Sequence, residues 1–198
     1  MSKIIAIGRE FGSGGHIVGE MLADRLGLPY YDNELIKLAV EHGGMKGRTL
    51  DKFDEKKSNP LLFEGNYSGN EHAPKGQPME DVLFKLQSDV ICSLAQKGDV
   101  IIVGRCADKI LEDAGHKVIS IFIAAPLEQR VERIRKLYEI EKSKALSLIK
   151  KKDKRRKLYY THHTGKQWGI PKSYQYYFNT EDLSLDQIAD EVAMLYRT

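Results

Sequence analysis

The sequence predicts an α/β fold, a parallel sheet covered on both faces by helices. Three observations lead there. Short runs rich in Ile and Val, apolar throughout, recur along the chain, as strands buried on both faces do. Segments with apolar residues at helical spacing separate these runs. The first run opens into a glycine-rich turn that leads directly into a helix, the layout of a phosphate-binding βα unit.

Taken in order, residues 3–8 are an Ile-rich run closed by Gly8 and read as a buried strand. Gly12-Ser13-Gly14-Gly15 follows, a turn that small residues build easily. Ile17, Val18, Met21, Leu22 and Leu26 then recur at helical spacing. Gly27, with Pro29 just beyond, is a helix stop. Residues 28–31 read as a second, short strand, after which Asp32 or Asn33 caps a helix over 34–41. From 43 to 78 the periodicity fades, and a mobile lobe or loop is expected. Val82, Leu83, Leu86, Val90 and Leu94 mark a helix that ends near Gly98. Residues 99–104 hold Val-Ile-Ile-Val and residues 118–125 hold Val-Ile-Ser-Ile-Phe-Ile, two further buried strands. Segments 127–138 and 142–159 are charge-rich helices, 174–180 a last strand and 185–196 a last helix.

A chain of 198 residues suits one domain with inserted lobes. Its 31 basic and 28 acidic residues leave a net charge of +3, which argues against a dedicated nucleic-acid binder with a large basic surplus. Two cysteines, Cys92 and Cys106, exclude a disulfide scaffold and a four-ligand zinc site. The apolar run at the N-terminus is too short for a signal peptide, and no stretch approaches the ~20 apolar residues of a membrane span. A cytoplasmic protein without a membrane partner is therefore expected.

The chemistry concentrates in three places. In Ile7-Gly8-Arg9-Glu10-Phe11-Gly12-Ser13-Gly14-Gly15-His16-Ile17, backbone N–H groups and a helix N-terminus converge on an anion site. A P-loop reads G-x-x-x-x-G-K-[ST]. Aligned on Gly14, its first glycine is Arg9, its lysine is Gly15 and its hydroxyl residue is His16. Second, Gly104-Arg105-Cys106-Ala107-Asp108 falls at the carboxyl end of a predicted strand, where open α/β sheets bind ligands. Arg105 there suits an anionic group. Third, residues 142–157 hold nine basic side chains and one acidic, a local +8 against −5 for the remainder. Such a block reads as a solvated helix face, as a nucleic-acid patch with Tyr159, Tyr160 and Trp168 for stacking, or as charge that closes over a migrating phosphoryl group. His162 and His163 are adjacent and face different ways, a poor metal pair. Cys106 reads as a small buried side chain.

On segments 6–17, 28–32, 100–108, 122–133, 153–160 and 174–188, in this order, the chain resembles the cytidylate kinase-like branch of the P-loop nucleoside monophosphate kinases. The Gly-Ser-Gly-Gly loop, Gly-Arg-Cys-Ala-Asp and Asp-Lys-Arg-Arg-x-x-Tyr-Tyr carry the likeness. It implies a P-loop NTPase three-layer α/β/α fold with a central parallel sheet. Within a single kinase-like domain of residues 1–198 it implies an adenylate-kinase-like CORE, an NMP-binding lobe over 43–78 and a LID over 142–171. By the same resemblance, Gly12, Ser13, Gly14, Gly15, His16 and Ile17 cradle the ATP phosphates, with Arg9 and the LID arginines standing in for the lysine. Asp32, Lys37 and Arg105 meet the acceptor. Arg105, Asp108, Arg155 and Arg156 form the catalytic set. Cytidylate kinases carry an aspartate directly after the Gly-Arg step, where this chain has Cys106; its nearest carboxylate is Asp108.

The expected activity is ATP-dependent phosphoryl transfer to a nucleoside monophosphate, CMP or dCMP favoured, with ATP and Mg²⁺ as cofactors and a small nucleotide as partner. Asp108 or Asp32 would orient the metal or the acceptor, and no residue is assigned as a metal ligand. A kinase of another small acceptor, and a non-catalytic nucleotide-binding regulatory module, are the alternatives.

Overall fold

The computed structural model describes residues 3–32, 34–42, 76 and 78–198. In chain order the elements are β1 (Lys3–Arg9), α1 (Gly15–Leu26), β2 (Tyr30–Tyr31), α2 (Glu34–His42), α3 (Met79–Lys97), β3 (Val100–Val103) and α4 (Ala107–Asp113). They continue with β4 (Lys117–Ala124), α5 (Leu127–Tyr138), α6 (Lys142–Thr164), a 3-10 turn (Pro171–Ser173), β5 (Tyr176–Asn179) and α7 (Leu185–Arg197). Contacts divide the chain into two compact units, Met1–Asp32 with Gly98–Thr198, and Asn33–Lys97. In the second unit α2 packs with α3. The expected lobe over 43–78 lies outside the described residues, Gly76 and Pro78 excepted.

The five strands form one parallel sheet in the order β2-β3-β1-β4-β5. Side chains alternate between faces along each strand. Ile5 and Ile7 of β1, Ile101 and Val103 of β3, and Ile121 and Ile123 of β4 face Val18 and Leu22 of α1 and Ile188, Ala189, Val192 and Ala193 of α7. All of these are buried, and each fully buried Ile or Leu contributes roughly 1.5–3 kcal/mol relative to exposure. On the opposite face, Phe122 packs against Tyr174 and Trp168, with ring centroids 4.8 and 5.3 Å apart. There a Cβ on Gly8 would stand 2.8 Å from Phe122 Cδ2. A smaller core of Val131, Ile134, Ala145 and Ile149 joins α5 to α6, and Phe11 packs against it.

β1 sits between β3 and β4, so the carboxyl ends of these three strands lie side by side. That is the place where α/β sheets bind their ligands. The elements follow the sequence reading closely, with two differences. α4 is absent from that reading. It has only seven residues, too few for periodicity to register, and it starts from left-handed Cys106 (φ 57°) instead of a capping side chain. α6 runs five residues beyond the expected 159, to Thr164, and is capped by Gly165, whose left-handed backbone returns its N–H to Thr161 O. Buried Tyr160 holds that last stretch against the rest of the unit.

α7 has a complete capping box: Gln187 N–H donates to Ser184 Oγ at 3.2 Å and Ser184 N–H to Gln187 Oε1 at 2.9 Å. Ser184→Ala is expected to lower the unfolding free energy by about 1 kcal/mol, read as a lower urea midpoint at an unchanged slope.

Candidate functional site

The site begins where β1 leaves the sheet. Glu10 N–H still bonds Ile123 O at 3.1 Å. Ser13 then donates twice to Glu10 O, through N–H at 3.3 Å and through Oγ at 3.0 Å, and is fully buried. Gly12 and Gly14 close the turn with φ of +83° and +93°, a region that favours glycine. Val18 N–H bonds Gly14 O at 3.0 Å as α1 begins. The N–H groups of Gly15, His16 and Ile17 precede that bond at the positive end of the helix, so an anion can take them as donors.

The two departures from the P-loop pattern at positions 9 and 15 are one feature. The Arg9 side chain crosses the carboxyl end of the sheet. A Cβ on Gly15 would stand 2.6 Å from Arg9 Cβ, and a Cβ on Gly104 2.0 Å from Arg9 Nη1. Only glycines allow the arginine to lie there. Its Nη2 donates to Asp32 Oδ1 at 2.7 Å, and the two side chains are 12% and 5% exposed. A side chain at position 9 therefore requires a bare position 15. The loop has moved its positive charge from its end to its start.

Asp32 also meets His16. Nδ1 of His16 lies 3.1 Å from Asp32 Oδ2 and 2.6 Å from the Tyr30 hydroxyl, and Nε2 lies 3.1 Å from Glu20 Oε1. Both ring nitrogens face carboxylates, which favours the doubly protonated ring. The hydrogen bond to Asp32 raises the His16 pKa, against an opposing effect of burial. For Asp32, burial works against ionisation, but Arg9, His16, Arg156 and Arg105 together hold its carboxyl below the ordinary value.

Arginines from α5 and α6 grip the loop by its carbonyls. Arg156 Nη1 donates to Arg9 O at 3.0 Å, Arg130 Nη1 to Phe11 O at 3.4 Å and Arg133 Nη1 to Gly12 O. Arg130 also pairs with Asp153 at 2.5 Å and approaches Glu10 at 3.4 Å. Asp153 in turn accepts Phe11 N–H at 2.8 Å, and Glu10 accepts Ala125 N–H at 3.0 Å. Burial pushes the Glu10 carboxyl up, while Ala125 N–H and Arg130 pull it down. Burial lowers the Arg133 pKa. Arg156 also lies over the Phe11 ring, 5.5 Å from its centroid.

At the end of β3 the backbone stays left-handed for three residues, Gly104 at 80°, Arg105 at 59° and Cys106 at 57°. Such a conformation costs of order 1–3 kcal/mol at a non-glycine residue and persists where surrounding structure imposes it. Arg105 comes within electrostatic reach of Asp32. Cys106 is buried and its thiol is pushed far up, chiefly by that burial, so it is inert packing. Asp108 is buried too, and accepts the Tyr160 hydroxyl at 2.6 Å. Burial raises its pKa, against the bond from Tyr160. Its geometry ties α4 to α6.

Of the residues that the sequence singles out, the structure thus joins Arg9, Gly12, Ser13, Gly14, Gly15, His16, Asp32, Arg105 and Arg156 in one unit. Ile17 is partly exposed at the start of α1, and Arg155 is half-buried beside Arg156. Lys37 is exposed on α2 in the other unit. Glu10, Tyr30, Arg130, Arg133 and Asp153 escape the sequence reading. The signal for Arg130 and Arg133 is their spacing of three on one face of α5; Asp153 opens the Asp-Lys-Arg-Arg motif, and nothing local marks Glu10 and Tyr30.

Magnesium requires oxygen donors and usually one or two carboxylates. Two of the carboxylates here are already engaged. Asp32 gives its two oxygens to Arg9 and His16, and Asp153 gives its two to Phe11 N–H and Arg130. The Ser13 hydroxyl points to Glu10 O, and the hydroxyl position of the P-loop holds an imidazole.

The sheet order, the loop and the helix N-terminus define a P-loop kinase fold. The chain belongs to the Cytidylate kinase-like family, which it matches over residues 4–182. Among solved structures, it is similar to an uncharacterized protein from Eubacterium ventriosum, at 27% identity and TM-score 0.73, covering 100% of this chain and 99% of that one. It shares its fold with the shikimate kinase of Bacteroides thetaiotaomicron, at 16% identity and TM-score 0.55, over 100% and 99% of the two chains. The same holds for the Mycobacterium tuberculosis APS kinase CysC in complex with AMPPNP and APS, at 20% identity and TM-score 0.55, over 100% and 98%. Comparison with curated proteins returned no match. Among the described residues, no helix is long and apolar enough to cross a membrane.

Two outcomes test this geometry. Arg9→Ala leaves Asp32 buried and is expected to cost about 3 kcal/mol of stability. Gly15→Ala, which drives a methyl into Arg9, is expected to cost about 1–3 kcal/mol. A double-mutant cycle should show that Gly15→Ala costs less once Arg9 is glycine, which removes the Cβ it would meet. The second outcome concerns pH. The His16 ion pair contributes below 6.5 and is lost as pH rises through a higher folded value. The Asp32 contribution is present above 3.8 and is lost as pH falls through a lower one. An NMR titration should place the His16 midpoint above 6.5 and move it down in Asp32→Asn.

Proposed function

We propose that this chain transfers the terminal phosphoryl group of ATP to a nucleoside monophosphate, with CMP or dCMP favoured by the family likeness. The observation that supports this is the N-terminus of α1, bracketed by Arg156 at the start of the loop and Arg133 at Gly12. ATP phosphates accept the N–H groups of Gly15, His16 and Ile17. Negative charge on the migrating group spreads over its peripheral oxygens, and guanidinium groups already aimed at the loop stabilise it without reorganising. This is the work a P-loop lysine does elsewhere.

The acceptor phosphate meets Arg105 at the end of β3, beside the Arg9–Asp32 pair. A monophosphate is already anionic, so its oxygen attacks without a general base. The basic helix α6 acts as the LID, with Arg155 and Arg156 closing on the transferring group and excluding water that would hydrolyse ATP. Asp108 serves as a positioning residue for the LID helix through Tyr160.

A second reading, a non-catalytic nucleotide-binding module, is favoured by the missing loop lysine. ATP with a panel of monophosphates, scored for ADP and nucleoside diphosphate, separates the two. Turnover is expected with a pyrimidine monophosphate, and Arg156→Ala is expected to lower kcat by about 10²–10³. ATP binding without turnover on any monophosphate, shikimate-like or sugar acceptor would assign the module instead.

A further inference from the structure

We infer that Arg9 and His16 take the place of a divalent cation on Asp32, so that the chain holds nucleotide phosphates without a magnesium ion of its own. The inference rests on the nucleotide reading above and sharpens it. In a P-loop enzyme, a loop hydroxyl and an acidic residue share the metal that bridges the phosphates. Here the hydroxyl place holds His16, at the second residue of α1, and the buried carboxylate beside it is Asp32, after β2. They bond each other directly, at 3.1 Å, and the other Asp32 oxygen takes Arg9 at 2.7 Å.

The arrangement is built, not incidental. Gly15 and Gly104 are both bare where Arg9 crosses them, and Asp32 is 4% exposed. Glu20 holds the far nitrogen of the imidazole, and Tyr30 caps the near one. Arg105 and Arg156 add their charge from the end of β3 and from α6. A divalent ion entering next to Asp32 would have to displace a buried guanidinium and would meet further cations around it. A polyphosphate meets the reverse, an anion site with its countercharge already in place. Any divalent ion that arrives with a nucleotide is then held by phosphate and water, not by the protein.

Calorimetric titration of the full chain with ADP, in EDTA and in excess MgCl₂, tests this directly. The expected result is that magnesium tightens binding by less than about fivefold, and that MgCl₂ alone gives no binding heat. Tightening beyond that factor overturns the inference while leaving the nucleotide reading intact. Absence of ADP binding in both conditions overturns the nucleotide reading and the inference with it. Arg9→Gly with His16→Ser restores the loop hydroxyl, and Arg9→Gly with Gly15→Lys and His16→Ser restores the whole loop pattern and frees Asp32. Folding of both is checked by circular dichroism. Magnesium is expected to tighten ADP binding by more than about fivefold in the triple variant, or, if that fails to fold, in Arg9→Gly with His16→Ser, which also frees Asp32. Indifference to magnesium in the folded variant overturns the assignment.

Discussion

The ion pair between Arg9 and Asp32 organises the carboxyl end of this sheet. It runs from the last residue of β1 to the residue after β2, and so passes over β3, the strand that lies between them. To do so it needs a bare backbone at Gly104 beneath it and at Gly15 beside it. The left-handed turn at Gly104-Arg105-Cys106 and the start of α1 are both shaped around that one side chain. Buried ion pairs often contribute little net stability against an apolar alternative, because desolvation offsets attraction. What this one secures is position: it holds a carboxylate and a guanidinium at fixed places beside an open helix N-terminus.

Around that pair, the loop is held through its carbonyl oxygens by side chains of α5 and α6. Arg130, Arg133, Asp153 and Arg156 all reach the stretch from Arg9 to Gly12. The consequence for a ligand is twofold. The carbonyls that would repel a phosphate are occupied by donors, and the guanidinium groups that occupy them surround the loop with positive charge. The same contacts couple the loop to the α5–α6 hairpin, so movement of the basic helix is felt at the glycine turn. Asp108 and Tyr160 provide a second tie, at the buried side of the same helix.

Much of this was legible beforehand. The strand–glycine–helix unit, the parallel sheet and the helix over 127–138 follow from apolar periodicity, which reports burial one element at a time. The unusual loop was legible as a set of departures, Arg9 for glycine, Gly15 for lysine and His16 for a hydroxyl. Their connection was not, because a side-chain path across three strands leaves no trace in local spacing. The partners of Asp153 and Glu10 were equally hidden: one opens the Asp-Lys-Arg-Arg motif and the other stands in a turn, and only folding brings both to Arg130.

By itself the sequence determined the class of fold, the order of most of its elements and the glycine turn between β1 and α1. Those features depend on short-range patterns, on where apolar residues repeat and where glycine permits a turn. The tertiary structure alone decided what each charged residue does. It paired Arg9 with Asp32, aimed Arg133 and Arg156 at the loop, and buried Asp108 away from solvent. The physical reason is that a charge is defined by its neighbours and its burial. In this fold, both are set by strands adjacent in the sheet but distant along the chain.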